Sequence, residues 1–135
     1  MESIRNLSQD DIHNISKIQL ISDYILQRSD DINTYNESHE IDKSLLINGR
    51  NLTNIGVFRK YMETFIEQHS AINKDMVRQL QPSAHGLPIE IYAFSSDKRW
   101  ANYEYIIADI FDHMIASVND FDLKISETTV FPAKN

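Results

Sequence analysis

The order of periodic segments in this chain predicts an α+β fold, a ferredoxin-like split βαββαβ domain that lacks its first strand and is preceded by a long helix. Three observations predict it. Ile18, Ile21, Ile25, Ile32 and Tyr35 recur at spacings of three, four and seven, which marks one face of a helix. A stronger amphipathic pattern follows Thr53 and leads into two strand-like stretches divided by Pro82-Ser-Ala-His-Gly86. A last helical pattern then gives way to alternation at Phe121, Leu123 and Ile125. Helix, strand, strand, helix, strand is the split motif without its opening strand.

Ser8-Gln-Asp-Asp11 supplies a cap oxygen and early carboxylates, so a helix is expected over about 9–36. Residues 35–44 are polar and aperiodic and read as a linker, and Leu45-Leu46-Ile47 runs into the turn signal Asn48-Gly49. Thr53 caps the clearest helix, with Ile55, Phe58, Met62, Phe65, His69 and Ile72 on one side and Arg59, Lys60, Glu63 and Glu67 away from it. Met76 to Gln81 reads as a strand stopped by Pro82. Leu87, Ile89, Ile91 and Ala93 alternate with Pro88, Glu90, Tyr92 and Phe94, so the two stretches form a hairpin. A cap at Ser96 or Asp97 opens a helix carrying Trp100, Tyr103, Ile107, Ile110, Met114 and Val118 on one face. Phe58, Phe65, Ile107 and Ile110 are expected to share one core. The resulting organisation is an N-terminal segment over 1–44, an α/β domain over 45–127 and a tail over 128–135.

The 135 residues, 41% of them hydrophobic, suffice for one core and not for two. The 13 basic residues are outnumbered by 20 acidic ones and form no run, which disfavours nucleic acid, since a phosphate backbone rewards clustered cations. Without cysteine there is no disulfide, thiolate nucleophile or sulfur-bound zinc, and a reducing compartment is the default. Apolar runs of a few residues fall far short of the about 20 that span a bilayer, so no direct membrane insertion is expected. Glu2 to Asp11 is too polar and acidic for a signal peptide.

Asp109, Asp112 and His113 stand at i, i+3 and i+4, where carboxylate and imidazole could meet a divalent cation or relay a proton. Three or four convergent ligands are the norm for a metal, and His13, His39, His69 and His85 lie on unrelated segments. The trio therefore reads as a hydrogen-bonding patch on a helix surface. His69 lies on an apolar stripe as a hydrogen-bonded helix-end residue. Ser83 near His85 has no nucleophile elbow around it. Gly49, Gly56 and Gly86 are too scattered to cradle a phosphate. Trp100, Tyr103 and Tyr105 beside Lys98 and Arg99 could stack on bases, but the apolar face makes Trp100 and Tyr103 core residues. No catalytic, cofactor-binding or metal-binding residue is assigned, no cofactor is expected, and the chain is not read as an enzyme.

Four contiguous strings carry a family likeness: Gly49-Arg-Asn-Leu-Thr-Asn-Ile-Gly56, Arg78-Gln-Leu-Gln-Pro82, Gly86-Leu-Pro-Ile-Glu-Ile-Tyr92 and Ala108-Asp-Ile-Phe-Asp-His113. Together they closely resemble the C-terminal cytoplasmic domain of mechanosensitive ion channels of the MscS family, in particular the miniconductance type, over about 3–127. The resemblance implies a piece of a membrane protein on the cytoplasmic side of the inner membrane. There, seven subunits wall a vestibule below a pore that opens under tension during hypo-osmotic shock. It implies a structural role within a homo-heptamer and no active site, with the isolated fragment mostly monomeric or weakly associated. It also places the absent first strand upstream of Ser3-Ile-Arg5 rather than in the segment Ser3 to Leu7, and makes the long helix an insertion of the miniconductance type. The alternative is a free-standing ferredoxin-like module that binds a ligand or partner on its sheet.

Overall fold

A computed structural model describes residues 2–68, 72–95 and 100–126, and for 72–76, 92–95 and 100–103 it describes the backbone alone. Four helices and one antiparallel pair of strands follow in the order α1 (Gln9–Ile15), α2 (Ser22–Ser38), α3 (Asn54–Glu67), β1 (Ile72–Gln79), β2 (Ile89–Ser95) and α4 (Trp100–Ser117). This mixture of helix and sheet is the α+β class. The ferredoxin-like sheet is not what the described residues build, because among them it has two strands.

The first helix begins as expected, with a reciprocal capping box in which Ser8 Oγ accepts from the Asp11 N–H and Asp11 accepts from the Ser8 N–H. It does not run on to residue 36. Ser16 ends α1, Ile18 turns extended, and a 3-10 turn at Gln19–Ile21 leads into α2. The break lets Ile15, Ile21 and Ile25 all be buried, while α1 returns to touch α2. The second helix in turn exceeds its expected end and stops in a Schellman motif: Glu40 takes a left-handed φ of 53°, its N–H donates to Glu37 O, and the Ile41 N–H donates to Asn36 O.

Residues 40–52 are a braced loop rather than a loose linker. The Lys43 ammonium donates to Leu46 O, Asn48 O and Asn51 Oδ1, the Asp42 carboxylate accepts from the Ser44 N–H, and the Asn48 amide donates to Asp42 O. Buried Asn36 grips the far end, accepting from the Arg50 N–H and donating to Arg50 O. Gly49 sits between, at a φ of +70°, and a Cβ there would stand 2.4 Å from Asn36 Oδ1 and 2.8 Å from Ile41 Cγ2. Gly49→Ala therefore combines a left-handed backbone penalty with a clash against fixed atoms, and about 2 kcal/mol of stability should be lost. A thermal midpoint equal to that of the parent protein would show that the loop is not held this way.

Thr53 caps α3 by accepting from the Gly56 N–H, as the sequence predicts. Val57, Phe58, Met62 and Ile66 form its buried stripe, Ile55 and Phe65 are only partly buried beside it, and the helix stops at Glu67, so that Ile72, expected on this face, opens β1 instead. The hairpin forms with β1 starting and ending earlier than expected and β2 starting and ending later. Val77 faces Ile91 across the ladder, and both pack toward the core. At its tip Ser83 and Gly86 exchange backbone hydrogen bonds, with Gly86 at a φ of 126° that suits glycine. Of the expected core quartet, Phe58 and Ile110 are buried, Phe65 packs against the core, and Ile107 is half-buried while Ile106 takes the packing position. Leu7, Ile15, Ile25 and Ile32 from the N-terminal segment belong to the same hydrophobic core as α3, β1 and α4 residues. The expected cap at Ser96 or Asp97 and the tail over 128–135 lie outside the described residues.

The final strand expected at Phe121 to Ile125 is absent. Val118–Phe121 continues as a 3-10 turn, and Asp122 adopts a left-handed φ of 53°. The Leu123 N–H reaches Val118 O and the Asp122 N–H reaches Asn119 O, a second Schellman closure with Val118 and Leu123 both buried. The N-terminal segment pairs with the entry to α3 through one bridge, Asn6 with Thr53, and adds nothing to the hairpin. Arg5 joins the start of α1 to the turn at Asp122, donating from Nη2 to Asp122 Oδ2 at 2.7 Å and to Asp11 Oδ1 at 3.2 Å.

The Arg5 guanidinium, then the Ser8 N–H, lower the Asp11 carboxyl from 3.8 to about 2. A folded value below the unfolded one stabilises above about pH 4, and this contribution is lost as the pH falls toward 2. With 40% of the Arg5 side chain exposed, solvent screening holds it to about 1 kcal/mol. Asp11→Asn should cost that much at neutral pH, and the gap from the parent protein should close in acid. A gap independent of pH would assign the loss to something other than this charge pair.

Candidate functional site: a cleft beside the second helix

The acidic and imidazole groups of α4 do not converge. Asp109 and Asp112 are exposed, whereas His113 is half-buried and turned toward α3. Its ring lies 3.8 Å from that of Phe65 and nearly parallel to it, and Nε2 is 2.7 Å from the Tyr61 hydroxyl. Ser117 Oγ donates to the His113 carbonyl at 2.7 Å. The cluster thus ties α4 to α3 by stacking and a hydrogen bond. Among the described residues no set of three or more His, Asp and Glu side chains gathers where a metal could bind.

The remaining candidates scatter. His85 is exposed on the hairpin tip, where its N–H donates to Ser83 Oγ at 3.2 Å. His39 stacks on Tyr35 with ring centres 4.0 Å apart, and His13 is exposed. His69, Lys98 and Arg99 lie outside the described residues, as do the side chains of Trp100 and Tyr103, and Tyr105 is exposed. No helix among the described residues is long and apolar enough to cross a membrane.

What sequence reasoning missed is a cleft of about 720 Å3 between α1, α2 and the braced loop. Its floor is apolar, made by Leu7, Ile32 and Leu52, which are buried, and by Ile12. Its rim is charged. Glu37, in the last turn of α2, and Glu40, just past it, form no ion pair among the described residues, and no basic residue occupies that last turn. Arg50 also lines the cleft, but its guanidinium carbon lies 3.6 Å from the centre of the Tyr35 ring, which does not line it. Two contacts this close to the centre of one ring occupy opposite faces, so Arg50 and His39 sandwich Tyr35. The one sequence signal for this arrangement is Asn36, a polar residue four after Ile32 on the apolar stripe, which is buried because it holds the Arg50 backbone.

No protein-family model matches the chain, and no solved structure matches it.

Proposed function

We propose that this chain is the α/β vestibule domain of a mechanosensitive channel of the MscS family, of the miniconductance type. The observation that carries the reading is the set of four contiguous strings from Gly49 to His113. Several of their residues meet specific conformational demands: Gly49 and Gly86 have positive φ, Thr53 caps α3, and His113 locks α4 onto α3. Strings constrained in this way are not expected to arise together by chance.

In this reading the domain has no catalytic part. It sits on the cytoplasmic side of the membrane, lines the vestibule within a homo-heptamer, and follows membrane helices that sense tension. Exposed apolar side chains at Leu45, Leu46, Ile47, Phe111 and Ile115 suit a domain that meets other parts of a larger assembly. Alone, it is expected to be monomeric or weakly associated at micromolar concentration. The test is to express the complete gene containing this coding sequence in cells stripped of their own mechanosensitive channels. Pressure-gated currents in membrane patches and improved survival of hypo-osmotic shock are expected. A product without apolar segments of about 20 residues, or one silent under suction, would defeat the proposal.

A further inference from the structure

We propose that Asn48 is a site of spontaneous covalent modification, in which the backbone nitrogen of Gly49 displaces the Asn48 side-chain amide. The braced loop over residues 40–52 is the lock that holds this reaction back, and the product opens that lock for good. The inference goes beyond the channel reading and stands whether or not that reading holds.

Asn48 is the one asparagine of the chain that a glycine follows. Glycine has no Cβ to stand between its nitrogen and the preceding side chain. The Gly49 N–H donates to nothing among the described residues, and Gly49 is exposed, so water and base reach it. Water is the only co-reactant needed. Gly49 N gives its proton to solvent base and attacks Asn48 Cγ. The new N–Cγ bond closes a five-membered imide, and the Cγ–Nδ2 bond breaks as ammonia leaves with a proton from solvent. Water then adds to one of the two imide carbonyls. Opening at Cγ leaves an aspartate at position 48, and opening at the backbone carbonyl leaves an isoaspartyl link through the side chain.

The loop fixes the groups that ring closure must move. Asn48 Nδ2, the leaving nitrogen, donates to Asp42 O at 2.8 Å. The carbonyl of the reacting peptide is held as well, because the Lys43 ammonium donates to Asn48 O while also reaching Leu46 O at 2.8 Å and Asn51 Oδ1 at 2.7 Å. On either side, the Asn48 N–H donates to Leu45 O, and buried Asn36 grips the Arg50 backbone. Closure onto Gly49 N therefore proceeds from the opened loop, and its rate is the open-loop rate multiplied by the open fraction.

The product does not fit the closed loop. Either opening of the imide removes the Nδ2 donor from Asp42 O and adds a negative charge beside a residue that is itself a carboxylate, held in place by the Ser44 N–H. Opening at Cγ sets a carboxylate oxygen against the Asp42 carbonyl. The isoaspartyl link instead lengthens the backbone by one carbon next to Gly49, where even a Cβ would collide with Asn36 and Ile41. The released loop carries the exposed Leu45, Leu46 and Ile47, so the modification also changes how that apolar triplet is presented.

The test is peptide mapping by mass spectrometry on the full chain, native and in denaturant, following the conversion of asparagine amides to acids with time at neutral pH. In denaturant Asn48 should convert fastest of the asparagines, and in the native protein its conversion should be at least about tenfold slower. Lys43→Met, which removes three hydrogen bonds from the lock, should speed the native conversion at least about fivefold while the amides of α3 stay protected from hydrogen exchange. In the aged parent protein and in Asn48→Asp, the Ser44, Asn48 and Arg50 amides should lose protection and those of α3 should keep it. If Lys43→Met fails to fold, the native-to-denatured ratio and the exchange pattern of the aged parent protein decide. A native rate equal to the denatured one, a folded Lys43→Met no faster than the parent protein, or an aged chain whose loop amides stay protected would overturn the proposal.

Discussion

Replacing Phe58 by Ala is expected to cost about 3–5 kcal/mol, a large share of the 5–15 kcal/mol that holds a typical domain together. Phe58 is 3% exposed, and its ring meets that of Phe121 at 5.4 Å in an edge-on arrangement of 68°. Truncation opens a cavity between α3 and the 3-10 turn at Val118–Phe121, and the Schellman closure behind Phe121 leaves that turn little freedom to collapse inward. Phe65 is the internal control. One of its faces is covered by the His113 imidazole at 3.8 Å, but the residue is only partly buried, so Phe65→Ala should cost about 2 kcal/mol. Denaturant titrations of both variants with unchanged slopes would give the comparison directly. Equal losses at the two positions would mean that Phe58 and Phe65 share one buried face, as the amphipathic pattern alone suggests.

That contrast shows where sequence reasoning reaches and where it stops. Thr53, the presence of α3 with Phe58 and Met62 on its buried side, and the hairpin were legible because local rules act there: a cap oxygen, a 3.6-residue period, a two-residue period. The break at Ser16 to Ile18 was hidden because Ile15, Ile18, Ile21 and Ile25 keep helical spacing across it, and the burial of Ile21 and Ile25, with the turn at Gln19–Ile21 set against α3, overrides continuity. The last strand was misread for a related reason. Phe121 and Leu123 are both buried two residues apart, as in a strand, but the alternation comes from a left-handed Asp122 that Arg5 holds from across the fold. The candidate site was the least legible part. Its floor, rim and brace come from α1, α2 and the loop, and a charged rim reads in one dimension as ordinary solvent-facing Glu and Arg. His113 also reads as a surface group from helical spacing, and only the position of Tyr61 and Phe65 turns it into a clamp.

Asn54→Ala should remove about 3 kcal/mol, and the loss should be concentrated where Ser3 and Arg5 meet the turn at Phe121. Asn54 is 1% exposed, and its side chain makes three long-range hydrogen bonds: Oδ1 accepts from the Arg5 N–H at 3.0 Å, and Nδ2 donates to Ser3 O at 2.9 Å and to Phe121 O at 3.0 Å. At about 1 kcal/mol per bond, truncation forfeits all three and leaves the Phe121 carbonyl buried without this donor. Asp is nearly the same size and separates geometry from chemistry. Asn54→Asp keeps the acceptor for Arg5 but sets a carboxylate against the carbonyls of Ser3 and Phe121, so it should cost at least as much as Ala despite filling the space. Amide hydrogen exchange locates the damage. In Asn54→Ala the Arg5 amide should lose protection and in Asn54→Asp it should keep its acceptor, while in both variants the Asp122 and Leu123 amides should lose protection and those in the middle of α2, which Asn54 does not touch, should keep it. If Asn54→Asp matched the parent protein in stability, or if the Arg5 amide stayed protected in Asn54→Ala, this side chain would not be what joins Ser3 and Arg5 to the turn at Phe121.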